Sequence, residues 1–533
     1  MTLRQALERG LATILILFVS ISWGLSTAQA QQPDHDAPGT QVLTRGPVHE
    51  AFAGLVTFNP EPGVVVAKAP PDLIEEVPPE ERPEGNNVAW IPGYWAWDDE
   101  RNDFLWVSGT WRALPPGRAW VAGYWGKTAP GYQWVSGYWA DAAVRTTAYL
   151  PPLPATVEVG PSIAAPSGDY GWTPGCWIWY QGRYAWRPGF WVQGRADWDW
   201  MPAHYVWTPR GYIFVDGFWD YSVARRGLLF APIYFESGVY ARRGYSYSPS
   251  IVIDLSIFSD HLFLRPSYHH YYFGDYYAPS YSQGGFYASF SFQSSRHGYD
   301  PIYSHQRWEH RQDREWEHRV ETSYQYRRDH ETARPPRTWA AQRTINPSTP
   351  ESQRNGVVLA TPLNQLAKRK ESPMRLQPVA QEERQKLTQR GQEVQQSREQ
   401  RRTLESKPVN TVTRKPGSAF EPARVPLPRS PIVARPANQL GRNAAPPTAQ
   451  RAPKPDLKVQ SNPPTPSRPA NLDHDPSQPE PRKSRPEKDP ATGRSEAAPR
   501  EKQASPGPEP RADDSPRRPQ KESPKDHPGN RPF

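Results

Sequence analysis

A single cysteine, Cys176, stands in 533 residues, so no disulfide can close within the chain. As a small apolar residue inside a repeat it reads as packing rather than redox chemistry. Aliphatic material is scarce as well. Only 36% of residues are hydrophobic, 64 are proline and mean hydropathy is −0.81, which argues against several large Leu/Ile/Val cores. One long apolar run exists, Gly10 to Leu25, and no later segment is apolar enough to cross a membrane as a helix. Catalytic signatures are missing too. There is no G-x-S-x-G, no H-E-x-x-H, no P-loop and no dinucleotide fingerprint. Catalytic, metal and cofactor sites are therefore not expected.

What the chain has is tryptophan, and it is concentrated. Of 22 Trp, 18 lie between Trp90 and Trp219 and none follows Trp339. They fall into a Trp-x-x-Gly-x-Trp unit with a period near fourteen. Complete copies are Trp90/Gly93/Trp95, Trp106/Gly109/Trp111, Trp120/Gly123/Trp125, Trp134/Gly137/Trp139, Trp172/Gly175/Trp177 and Trp186/Gly189/Trp191. Two degraded copies follow, Trp200/Ala203/Tyr205 and Phe214/Gly217/Trp219. Fixed-period self-similarity sets the architecture before any single residue does.

The unit resembles the YXWGXW (WXXGXW) repeat of exported bacterial proteins, over Val88 to Asp220. That resemblance implies export and β structure, and it brings no catalytic residue.

The residues themselves point to strands. Trp, Tyr, Val and Phe favour a pleated, half-buried surface, and the spacers carry Gly, Pro or Asp, as in Pro115-Pro116-Gly117 and Gln181-Gly182-Arg183. A fourteen-residue period is too short for parallel crossovers, so the expected fold is mainly β, an antiparallel meander of about eight aromatic-rich strands. The motif tryptophans are five apart. A bulge at x-Gly would bring both to one face and would require positive φ at each glycine. Rings stacked across strands then form a ladder that replaces the missing aliphatic core.

The rest divides by composition. Residues 1–30 read as a signal peptide of the Sec type, with Arg4 and Arg9 before the apolar run and Ala28-Gln29-Ala30 after it. Residues 31–87 read as a Pro/acidic linker, 88–141 and 170–222 as the two repeat arrays, and 142–169 as their connecting loop. Residues 223–302 read as a Tyr-rich extension, and 303–340 as a charged helix in which Trp308, Trp316, Val320 and Tyr324 recur at multiples of four. Residues 341–533 read as a disordered basic tail with a second helix over 379–406. The chain carries +9 overall, about +15 of it beyond Ala341 balanced by about −6 before it.

These features predict an exported, non-enzymatic protein of the periplasm, cell surface or medium, with a structural or interaction role in the envelope. Its expected partner is an envelope glycan or anionic cell-surface polymer. Specific nucleic-acid binding is not expected, because the basic tail lacks interleaved aromatics. Two alternatives stand beside this. One is an outer-membrane β-barrel, from the even count of ten-residue strands. The other is a metal- or polyanion-binding envelope protein, from His269 and His270 with His261, His297 and His305 nearby. Adjacent histidines on a strand point to opposite faces, which is poor ligand spacing. Asp197 and Asp199, flanking Trp198, form a carboxylate pair on turn-like sequence.

Overall fold

The computed structural model describes residues 38–345, 356–368, 374–407, 422–439, 446–447 and 452–462. Residues 1–37, which include the expected signal peptide, and residues 463–533 of the tail lie outside the described residues. Mainly antiparallel strands are arranged in small sheets of two to four.

Two consecutive repeat units make one hairpin. In the first, Val88–Ile91 pairs with Thr110–Ala113, and Tyr94–Asp98 pairs with Asp103–Val107. Each unit is thus two short strands separated by an x-Gly step. Ile91 faces Thr110 before the step and Tyr94 faces Val107 after it, so both strands skip two residues and the register continues. The same plan recurs around Ala122-Gly123 and Ser136-Gly137, around Pro174-Gly175 and Pro188-Gly189, and around Pro202-Ala203 and Asp216-Gly217.

This replaces the expected bulge. A bulge sets two residues against one, whereas here the partner strand opens at the same level. None of the seven motif glycines has positive φ. Positive φ occurs instead in turns, at Asn102, Gly117 and Gly182. The glycine is required by its neighbour. A Cβ on Gly109 would lie 2.5 Å from the Trp90 ring and 2.7 Å from the Ile91 carbonyl oxygen, and one on Gly137 would lie 2.5 Å from the Trp120 ring. The first Trp of each unit covers the glycine of the partner unit.

The same Trp also faces the second Trp of that partner. The cross-strand pairs are Trp90–Trp111, Trp95–Trp106, Trp120–Trp139, Trp125–Trp134, Trp172–Trp191, Trp177–Trp186 and Trp200–Trp219, with Tyr205–Phe214 as the eighth. Ring centroids lie 5.1 to 5.4 Å apart in tilted or edge-on contact. Such pairs add about 0.5–1.5 kcal/mol each beyond area burial. A unit's two rings enter different clusters rather than sharing one face. Trp95, Trp106, Trp125 and Trp134 fill one core, Trp90 and Trp111 another, and Trp120 and Trp139 a third with Met201, Val206 and Phe218 of the last hairpin.

Three segments depart from the sequence expectation. Residues 38–87 are not a free linker, since Val48, Phe52 and Ile74 are core residues. Their apolar side chains come singly where the hairpins need closing, which a composition average conceals. The charged helix is two helices, Pro301–Glu309 and Trp316–Asp329. His310 ends the first, and the Trp316 ring returns to stack on His310 at 4.7 Å. The helix expected over 379–406 is present as Gln381–Glu405, but it is not part of a free tail: it buries Leu387, Val394, Arg401 and Glu405 against the hairpins. Its apolar positions are few: Leu387 joins the cluster of Trp90 and Trp111, and Val394 joins that of Trp120 and Trp139. Strands Ala423–Pro426 and Asp456–Ser461 also pair with body strands.

Candidate functional site

Opening a ladder at x-Gly leaves backbone donors and acceptors to satisfy. Carboxylates take the donors. In the first hairpin Glu76 accepts from Gly93 N at 2.7 Å, Gly109 N at 2.9 Å and Trp106 Nε1 at 3.0 Å. In the second, Glu50 accepts from Gly137 N at 2.8 Å and Trp134 Nε1 at 2.9 Å. In the third, Glu158 accepts from Gly175 N at 2.5 Å and Trp172 Nε1 at 3.1 Å. Each break is an anion hole of amide and indole N–H groups, filled by a glutamate from outside the repeat. The degraded fourth hairpin differs. Gly217 N donates to the adjacent Asp216, and Trp200 Nε1 is buried with no partner among the described residues.

Burial dominates the glutamates' protonation. It raises Glu50 to about 8 and Glu76 to about 7, against the lowering effect of their N–H donors.

The carbonyls of the second break take a cation. Arg401 donates to Ala122 O and Ser136 O at 2.9 Å each, and pairs with Glu405 at 3.0 Å. Glu405 in turn accepts from Tyr124 and Tyr149 hydroxyls. The long helix therefore plugs one face of a break whose other face holds Glu50.

A second buried network joins the first hairpin to the last. Arg112 pairs with Asp220 at 2.5 Å, and Arg226 pairs with Asp199 at 2.6 Å. Arg112 Nε and Arg226 Nη1 also cap the Ala51 and Phe52 carbonyls. His305 lies 3.1 Å from Asp199 and 3.2 Å from Glu309. Burial alone would lower His305, and these two carboxylates outweigh it and raise it. Burial lifts Asp199 to about 6. Asp197 instead pairs with Arg225 at the surface, so the two aspartates do not converge on one site.

The histidines are dispersed. His269 sits between Ser136 Oγ at 2.5 Å and the Glu61 carbonyl at 3.0 Å. His270 meets the Tyr94 hydroxyl at 2.7 Å, His261 meets Tyr277, and His297 lies in tilted contact with the Tyr287 ring. Among the described residues no group of His, Cys, Asp or Glu is arranged to hold a metal ion. The Ser136–His269 contact lines a cavity of about 50 Å3 between the second and fourth hairpins, room for water rather than substrate. Burial holds His269 at about 4, which makes it a poor general base. Cys176 is a free thiol whose ionisation burial suppresses.

The larger concavity lies elsewhere. A cleft of about 550 Å3 is lined by residues flanking the array, 83–88 and 221–227, and by tail residues including Arg375 and Arg435.

Residues 85–112, which span the first hairpin, match the sequence model of the WXXGXW repeat family in two copies. Those residues are a WXXGXW repeat. The match brackets two units, and two units are what one hairpin consumes. No curated protein matches the chain, and no solved structure does.

Among residues that the motif did not flag, Glu76 and Glu158 carry a signal after all. Each precedes the first glycine of its hairpin by seventeen residues. Glu50, Arg401 and Glu405 have no such spacing.

Proposed function

We propose that the protein is an exported, non-enzymatic structural and interaction protein of the cell envelope. The observation that carries this is how its distinctive chemistry is used. The motif rings pack on one another, and the motif amides are filled by Glu50, Glu76 and Glu158. A repeat so occupied is a scaffold rather than a reaction centre. The N-terminal leader pattern, Arg4 and Arg9 followed by an apolar run and Ala28-Gln29-Ala30, supports export. The excess of Lys and Arg beyond Ala341 supports attraction to anionic envelope polymers.

The barrel alternative gains no support. Described strands run two to six residues in sheets of two to four, while a membrane-crossing strand needs about 9–11 residues in a closed sheet. Among the described residues no helix is long and apolar enough to cross a membrane. Trp95, Trp106, Trp125 and Trp134 are core and so offer no open stripe for stacking on sugar rings.

Cell fractionation with N-terminal sequencing tests the proposal. The mature chain is expected in an envelope or extracellular fraction, starting at or near Gln31. An intact Met1 in the cytoplasm would overturn it.

A further inference from the structure

We propose that the cleft beside the repeat array binds an acidic glycan, a hydroxyl-rich chain carrying carboxylate or phosphodiester groups. This names a site for the envelope-polymer partner and so rests on that reading.

The cleft, about 550 Å3, falls within the range of ligand sites. Three exposed arginines line it, Arg225, Arg375 and Arg435, against one carboxylate, Glu84. Arg225 is paired with Asp197 at 2.8 Å. The side chains of Arg375 and Arg435 have no hydrogen-bond or ion-pair partner among the described residues, although their backbones are fixed. Glu84 N donates to Arg375 O at 3.0 Å, Arg435 N donates to Asn87 Oδ1 at 3.1 Å, and Gly117 N donates to Arg435 O at 3.1 Å. The anchored backbones fix where the free guanidinium heads can reach, and a guanidinium grips oxyanions with paired N–H groups.

The remaining lining sets the class of ligand. Asn86 and Gln439 offer amide donors and acceptors suited to hydroxyls. The aromatic ring at the wall, Tyr221, is buried and stacked on Trp198 at 4.5 Å, so no ring is free for a base to stack on. That favours an acidic glycan over single-stranded nucleic acid. The cleft combines residues before the first repeat, after the last, and from two tail segments. A bound polymer would bridge all of them.

Calorimetric titration of the full secreted chain tests this, with a tetragalacturonate, a glycerol phosphate oligomer, neutral cellotetraose and a single-stranded oligonucleotide as probes. At least one acidic glycan probe is expected to bind at physiological salt, and cellotetraose is not. Arg375→Ala/Arg435→Ala should weaken that binding tenfold or more with an unchanged melting temperature. Arg183→Ala/Lys127→Ala, exposed cations outside the cleft, should leave it unchanged. Equal weakening by both double variants, tighter binding of the oligonucleotide, or no binding by either acidic probe would overturn the proposal. An envelope-located chain that binds neither probe would sink the cleft while leaving the envelope reading in place.

Discussion

The indole N–H of Trp106 donates to Glu76 Oε1 at 3.0 Å, tying the second repeat unit to a residue that precedes the first. The break between strand halves is thereby a filled site, and the glutamate is part of the hairpin although it lies outside the motif.

Removing that carboxylate should be costly. Glu76→Ala leaves Gly93 N, Gly109 N and Trp106 Nε1 without their acceptor in a buried site. Each orphaned donor costs about 1–3 kcal/mol, so a loss of about 3 kcal/mol or more is expected in urea unfolding. Glu75→Ala, at an exposed neighbour, should change little. Equal midpoints for the two variants would refute the filled-break account.

Arg401→Met should cost about 3–5 kcal/mol, because it strands the buried Glu405 carboxylate. The double variant Arg401→Met/Glu405→Gln should recover part of the loss, and Arg402→Met, on the exposed side of the helix, should be near neutral. A tail that contributed nothing to the body would give three variants as stable as the parent.

Protonation gives stability opposite slopes at the two ends of the pH range. Glu50 is held at about 8 in the fold, above the ordinary 4.5. Its contribution is complete below pH 4.5 and is lost as pH rises through 8. His261 is held at about 3, below the ordinary 6.5. Its contribution is complete above pH 6.5 and is lost as pH falls toward 3. Glu50→Gln should flatten the decline in melting temperature between pH 5 and 8, and His261→Gln the decline below pH 6. Slopes identical to the parent's would count against these assignments.

The legible part of the fold is the part written at fixed spacing. Trp90, Trp95, Trp106 and Trp111 announce their strands because the repeat places them at constant intervals, and their ladder follows from strand geometry. The helix Gln381–Glu405 showed itself only as a weak helical stretch, since its packing rests on Arg401 and Glu405, polar residues that look like surface. Glu50 is hidden because its partners lie in another segment, and Glu76, despite its seventeen-residue spacing from Gly93, sits in a Pro-rich acidic stretch that reads as solvent-exposed. The glycine requirement has a cause that the repeat spacing does not reveal. The constraint at Gly109 is the Trp90 ring across the ladder rather than its own backbone angle, and a single strand contains no sign of that ring. The cleft was invisible for the same reason, as Arg375 and Arg435 sit far apart in a segment that otherwise resembles spacer.

The interlocking of paired units is tested most directly by thermal unfolding of Gly109→Ala beside Gly171→Ala. Neither glycine has positive φ, so alanine is allowed at both by backbone angle. A Cβ at Gly109 meets Trp90, Glu76 and the Ile91 carbonyl within 2.7 Å, whereas one at Gly171 meets nothing within 4 Å. Overpacking of this kind costs about 1–3 kcal/mol, so Gly109→Ala should melt clearly below the parent while Gly171→Ala melts with it. Matching melting temperatures for the two variants would contradict the account.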